Sequence, residues 1–165
     1  MPKWFRIEVS MNGDTYSYRD GLREAVAFLL LDEGRRVLLE CRPDKHGTFT
    51  DIFFPSGSIE AKDHKGDQAD YREVALRREV FEEFRDGVRV DRLQLLGDVV
   101  VPEIGILFYV YWVVSWSGDP GSHSYEEDKP FGELRWSPLS EVRNVFPYES
   151  GRRMADMLTA ALGSR

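Results

Sequence analysis

The 165-residue chain has 42% hydrophobic and 31% charged residues, enough for one buried core under a solvated surface and too little for several domains. Its 22 basic and 29 acidic residues leave a formal charge of -7, which argues against a broad positive field for nucleic acid or an anionic membrane. Cys41 is the single cysteine, so no internal disulfide forms, and His46, His64 and His123 lack zinc-ligand spacing. The most apolar run, residues 106–116, falls short of the roughly 20 residues that a membrane helix needs. With no apolar run behind the basic N-terminus, no secretory signal is read and the expected setting is cytoplasmic.

Strand-like residues 4–9 and 15–18 flank Met11-Asn12-Gly13-Asp14, and an Asn-Gly pair supplies the positive φ of a tight turn. An added N-terminal hairpin is expected over residues 1–22, ahead of a domain over 23–165. Strands follow at 24–31, 36–41 and 48–54, the last ending in Pro55-Ser56-Gly57, and the polar stretch 61–69 reads as an exposed loop. Leu76, Val80 and Phe84 recur every four residues, with Val74 and Phe81 adjoining, which predicts a packed helix over 70–84 with Asp70 at its N-cap. Strand signals return at 88–101 and 106–116, and the polar stretch 117–129 reads as a mobile loop. A short strand at 134–136, a short helix from Ser137-Pro138 and a terminal helix over 152–162 complete a single α+β domain without repeats.

On the central helix Glu79, Glu82 and Glu83 stand at i, i+3 and i+4, so their side chains share one face. Like charges at this spacing repel unless a cation offsets them, and hard carboxylate oxygens select Mg²⁺ or Mn²⁺. An acidic, solvated face opposite a core face has the same pattern, so periodicity alone leaves both readings open.

The neighbouring residues add more. Residues 57–88 resemble the signature box of the Nudix hydrolases, in which Gly, five residues, Glu and seven residues precede Arg-Glu-U-x-Glu-Glu-x-Gly-U, with U aliphatic. Arg78, Glu79, Val80, Phe81, Glu82 and Glu83 match its core without a gap. Asp70 lies eight residues before Arg78, where the family has its glutamate, and Phe54-Pro55-Ser56-Gly57 resembles the entry to the box. This register places a seven-residue insertion between Gly57 and Asp70, and puts the closing glycine at Gly87 instead of position 85. Arg135-Trp136-Ser137-Pro138-Leu139 resembles the strand-to-helix passage near the end of such domains. The resemblance covers about residues 24–162 and implies an α/β/α sandwich around a mixed β-sheet.

It also implies divalent-metal-dependent hydrolysis of a diphosphate bond. Glu79, Glu82 and Glu83 would hold Mg²⁺ or Mn²⁺ with the backbone carbonyl of Gly57, and Arg78 would pair with Asp70 to fix loop against helix. Glu82 and Glu83 would serve catalysis, with a general base sought among Glu126, Glu127 and Glu133. Arg72, on the glutamate face, is placed either to contact phosphate or to extend along the surface. Phe28, Tyr109, Tyr111 and Trp112 are candidates for stacking on a base or for the core. Pro102 follows Gly87 by 15 residues, a spacing similar to that of ADP-ribose-hydrolysing members. The expected substrate is a small nucleoside diphosphate linked to another group, ADP-ribose or a nucleotide sugar first. No nucleic-acid or membrane partner is expected, and a homodimer is left open. The alternatives are a ligand-binding or regulatory module without turnover, or an enzyme like isopentenyl diphosphate isomerase, for which Cys41 would have to serve.

Overall fold

The structure, a computed structural model, describes residues 15–66 and 69–163. Strands β2 (Leu22–Leu30) and β7 (Ile106–Gly118) run parallel, with Arg23 opposite Ile106 and Leu30 opposite Val113. Strands covered on both faces read as continuous apolar runs instead of alternating ones. Accordingly Val26, Phe28 and Leu30 join one core cluster while Ala25, Ala27 and Leu29 join another. β6 (Val88–Val101) pairs antiparallel with β7, and β1 (Tyr18–Arg19) and β5 (Ser56–Ser58) pair with the outer edge of β2, giving a mixed five-stranded sheet. A second, antiparallel sheet has the order β4 (Phe49–Phe53), β3 (Arg36–Pro43), β9 (Lys129–Pro138), β8 (His123–Glu126).

Helix α1 (Tyr71–Phe84) covers one face of the mixed sheet. The Asp70 carboxylate caps it by accepting the Arg72 backbone N–H at 2.9 Å. Ala75, Leu76, Val80 and Phe84 are buried, and Phe84 meets Phe28 edge-on at 6.0 Å. Burying each of the larger side chains stabilises the fold by about 1.5–3 kcal/mol. Val74 and Phe81, expected to adjoin this core, lie on the outer side, Phe81 being 60% exposed. They sit about 100° round the helix from the Leu76–Val80–Phe84 seam. After the short α2 (Leu139–Val142), α3 (Glu149–Gly163) covers the opposite face through Met154, Ala155 and Leu158. The result is the expected α/β/α arrangement with a mixed sheet and few helices.

Two local expectations change. The stretch 117–129 is not all loop: it contains β8, whose polarity is that of an edge strand with one buried side chain, Ser124. The stretch 61–69 is not uniformly exposed, because Ala61–His64 forms a 3-10 turn that buries Asp63. The first arm and turn of the N-terminal hairpin lie outside the described residues. Its second arm pairs with β2 through a turn at Asp20 and Gly21, both with positive φ, and Tyr16 bridges to Glu60.

Candidate active site

The phase of α1 grades its three carboxylates. Glu83 lies nearest the buried seam and is 5% exposed, Glu79 is next with a side chain 13% exposed, and Glu82 points outward at 52%. Gly57, in β5, approaches Glu79 so closely that a Cβ there would stand 2.0 Å from the Glu79 Cδ. Any side chain at position 57 would displace the carboxylate, so this glycine is a condition of the site's geometry.

Arg78 organises the loop around that contact. Its guanidinium donates to Asp63 at 2.8 and 2.9 Å, to the Ser58 carbonyl at 3.1 Å, and to Glu79 and Glu82 at 3.0 and 3.2 Å. Burial works against its charge, yet Asp63, Glu79 and Glu82 hold it firmly protonated. The pairing expected with Asp70 is therefore corrected. Asp70 caps α1 and receives the Arg72 guanidinium at 2.7 Å, while Asp63 takes the place opposite Arg78. Five residues separate Gly57 from Asp63, as the box pattern has between its glycine and its glutamate, so the seven extra residues follow Asp63 instead of preceding Asp70. Counting forward from Gly57 would have found Asp63; counting back from Arg78 could not.

The carboxylates themselves are under-compensated. Burial pushes the Glu79 carboxyl up to about 8, against the pull of Arg78. Burial and then the nearby Glu40 push Glu83 well above the carboxylate range, although Arg42 opposes them. One Glu83 oxygen, Oε2, is buried without a hydrogen-bond partner. An orphaned carboxylate oxygen beside other acids, with a glycine cradle under Glu79, suits a hard divalent cation. Among the described residues no three such side chains already stand in coordinating geometry.

The remaining candidates separate clearly. Glu126, at the end of β8, lies 3.9 Å from Arg42 and adds to the negative charge felt by Glu83. Glu127 occupies the following turn with φ 50°. Glu133 pairs with Cys41 in the β3–β9 register, so the alternation of β3 places it on the face away from Glu40 and Arg42. Its carboxylate is held by Arg135 at 2.7 Å, which keeps it ionised below the usual range. Arg72, engaged by Asp70, also lies 5.0 Å over the Tyr109 ring. Phe28, Tyr109, Tyr111 and Trp112 are all core residues and offer no stacking face to a ligand. Cys41 is buried and its thiol is pushed up by that burial, which leaves it inert.

At position 85, where the pattern has its glycine, the backbone turns through φ 60° with arginine in place. Arg85 is tied to Asp128 and lies 4.7 Å over the Tyr125 ring, joining the helix exit to the β8–β9 hairpin. On the α3 side of the sheet, a cavity of about 540 Å³ lies between Pro102–Ile104 and the start of α3, lined among others by Tyr148, Ser150 and Arg153. Pro102, singled out by its spacing, borders this cavity and not the carboxylates.

A model of the NUDIX domain matches residues 21–158. The chain belongs to the Nudix family. Family membership makes it a pyrophosphohydrolase, and solved structures share its fold. The solution structure of the E. coli ORF135 protein matches with TM-score 0.63 at 19% identity, covering 90% of this chain and 98% of that one. An ADP compounds hydrolase matches with TM-score 0.63 at 13% identity, covering 86% and 74%. A MutT NUDIX hydrolase from Burkholderia pseudomallei matches with TM-score 0.57 at 23% identity, covering 82% and 97%. No match was found among curated proteins. Among the described residues, no helix is long and apolar enough to cross a membrane.

Proposed function

We propose that this Nudix protein hydrolyses the diphosphate bond of a nucleoside diphosphate linked to a second group, with Mg²⁺ or Mn²⁺ held by Glu79, Glu82, Glu83 and the Gly57 carbonyl. The observation that carries the reading is the pair of helix carboxyls, Glu79 and Glu83, buried without adequate counter-charge, Glu83 Oε2 above all. A bound divalent ion supplies Lewis-acid neutralisation of phosphate charge and a lowered pKa for water. Arg78 keeps Glu79 and the Gly57 loop in register through Asp63 and Ser58. Glu126 is the general-base candidate with the best position, beside Arg42 and Glu83. Arg42, on β3 beside Glu40 and Glu126, is a basic side chain suited to a phosphate oxygen.

ADP-ribose or a nucleotide sugar ranks first. The ADP compounds hydrolase among the structural neighbours favours the same class. The test is a panel of ADP-ribose, nucleotide sugars, dinucleoside polyphosphates, NADH, coenzyme A and nucleoside triphosphates, each with Mg²⁺ or Mn²⁺. At least one is cut at a diphosphate bond, and product mass in ¹⁸O-water identifies the phosphorus attacked. Metal-dependent binding without turnover across the panel would replace this reading with a regulatory module.

A further inference from the structure

We propose that Glu40, on β3 and outside the box, is a further carboxylate ligand of the cation assigned to Glu79, Glu82 and Glu83. The inference rests on the metal-dependent reading above and adds a residue that the helix pattern does not contain.

The Glu40 side chain is 1% exposed, and its Oε1 accepts the Arg42 Nε–H at 2.6 Å. Its Oε2 is buried with no hydrogen-bond partner, as is Oε2 of Glu83. A third buried carboxylate oxygen without a hydrogen bond, on Glu60, has the Lys62 ammonium at 3.1 Å. Glu40 and Glu83 thus share the same defect on neighbouring walls of the site, one on the sheet and one on the helix. A buried carboxyl oxygen left without a partner is destabilising, and a cation between the two walls would satisfy both.

The position of Glu40 is built by the fold. A Cβ on Gly132 would stand 2.8 Å from the Glu40 Cγ, and the Gly132 N–H is held by the Ser124 hydroxyl at 3.0 Å. The β8–β9 hairpin therefore leaves room for the stem of Glu40 and limits where its carboxylate can go. The competing role is to orient Arg42 alone. That role uses Oε1 only, and the carbonyl oxygen of a glutamine would perform it without placing a second carboxyl group beside Glu83. A carboxyl group at this position fits metal ligation better than scaffolding.

Manganese titration followed by electron paramagnetic resonance tests the assignment on the unaltered chain, on Glu40→Gln and on the surface control Glu141→Gln, with circular dichroism to check folding. Glu40→Gln is expected to bind Mn²⁺ about tenfold or more weakly, and Glu141→Gln as the unaltered chain does. Equal binding by Glu40→Gln and the unaltered chain would overturn the inference while leaving the proposed function standing. Absence of binding by the unaltered chain would instead overturn the function, and the inference with it. Should Glu40→Gln not fold, a manganese-soaked crystal of the unaltered chain decides. An anomalous peak within about 2.4 Å of a Glu40 oxygen supports the assignment, and a peak held only by the helix carboxylates refutes it.

Discussion

Glu24 on β2 and Glu83 on α1 are both buried carboxylates, one near the start of the helix and one near its end, yet their surroundings are opposite. Glu24 accepts hydrogen bonds from Ser17 at 2.6 Å, from Tyr71 at 2.5 Å and from Tyr109. Burial disfavours its charge, but these hydroxyls outweigh it and hold the carboxyl below its ordinary range. His64 completes the node, stacked on Tyr71 at 4.0 Å and 2.8 Å from the Ser17 hydroxyl, so both ends of the segment between Asp63 and α1 are pinned to the sheet. Glu83 has an oxygen without a donor and acids for neighbours. A satisfied buried charge is scaffolding, whereas an unsatisfied one is a binding capacity held in place by the rest of the fold.

Substitution by glutamine should separate the two ends most sharply. Glu82→Gln or Glu83→Gln removes charge from the metal face, and metal-dependent turnover should fall about 10²–10⁴-fold with folding intact. Glu24→Gln replaces an anionic acceptor of three hydroxyls, so the expected loss is about 1–3 kcal/mol of stability with turnover retained at low temperature. Steady-state rates and thermal melts on the same preparations check both. Wild-type turnover by the Glu83 variant would end the metal assignment.

The next effect is a pH dependence of opposite sign at the two ends. Glu79, raised to about 8 from 4.5, keeps a proton in the folded chain that the unfolded chain has already released. Its contribution therefore makes the metal-free protein less stable as pH rises from about 4.5 to about 8. Glu24, lowered in the fold, contributes stability above the ordinary carboxylate range that is lost only on acidification. Melts of metal-free protein between about pH 5 and 9 should show Tm falling toward alkaline pH, and added Mg²⁺ or Mn²⁺ should reverse the fall. A Tm that rises over this window, without metal, would contradict the account of Glu79.

A smaller effect concerns the clamp between loop and helix. A double-mutant cycle on Asp63 and Arg78, with alanine at each, should give a coupling of about 1–3 kcal/mol, because the pair is buried and bidentate. The same cycle on Asp70 and Arg78 should be additive within about 0.5 kcal/mol, as Asp70 is committed to Arg72 and the helix cap.

That clamp also shows where the sequence stops being legible. The helix and its glutamates are readable because a 3.6-residue period leaves an apolar seam and an acidic face side by side, and β2 and β7 because strands buried on both faces read as apolar runs. Asp63 is hidden because an insertion breaks the count from the helix and because its loop looks uniformly polar; only burial against Arg78 distinguishes it from Asp70. β8 is hidden for a related reason, since an edge strand needs one inward side chain and Ser124 carries no apolar signal. Glu40 lies inside an apolar strand, where the sequence shows a charge but not the Glu83 wall that it meets.

The smallest expected effect lies at the helix exit. Arg85 holds φ 60°, a region that costs a non-glycine residue about 1–3 kcal/mol. Against this stand an ion pair to Asp128, whose side chain is 85% exposed, and the guanidinium over Tyr125. The exposed pair contributes under about 1 kcal/mol and the ring contact about 0.5–1 kcal/mol. Arg85→Gly removes the strain and both contacts and adds freedom to the unfolded chain worth about 0.4–1 kcal/mol, so the net change in stability should stay within about 1 kcal/mol. Turnover should respond more than stability does, because Tyr125 and Asp128 flank Glu126 and the tether holds that hairpin against the end of α1. A few-fold fall in kcat with a nearly unchanged Tm is the expected pair of readings. A destabilisation beyond about 3 kcal/mol, with kcat unchanged, would make Arg85 scaffolding of the kind seen around Glu24 and remove the hairpin from the catalytic end.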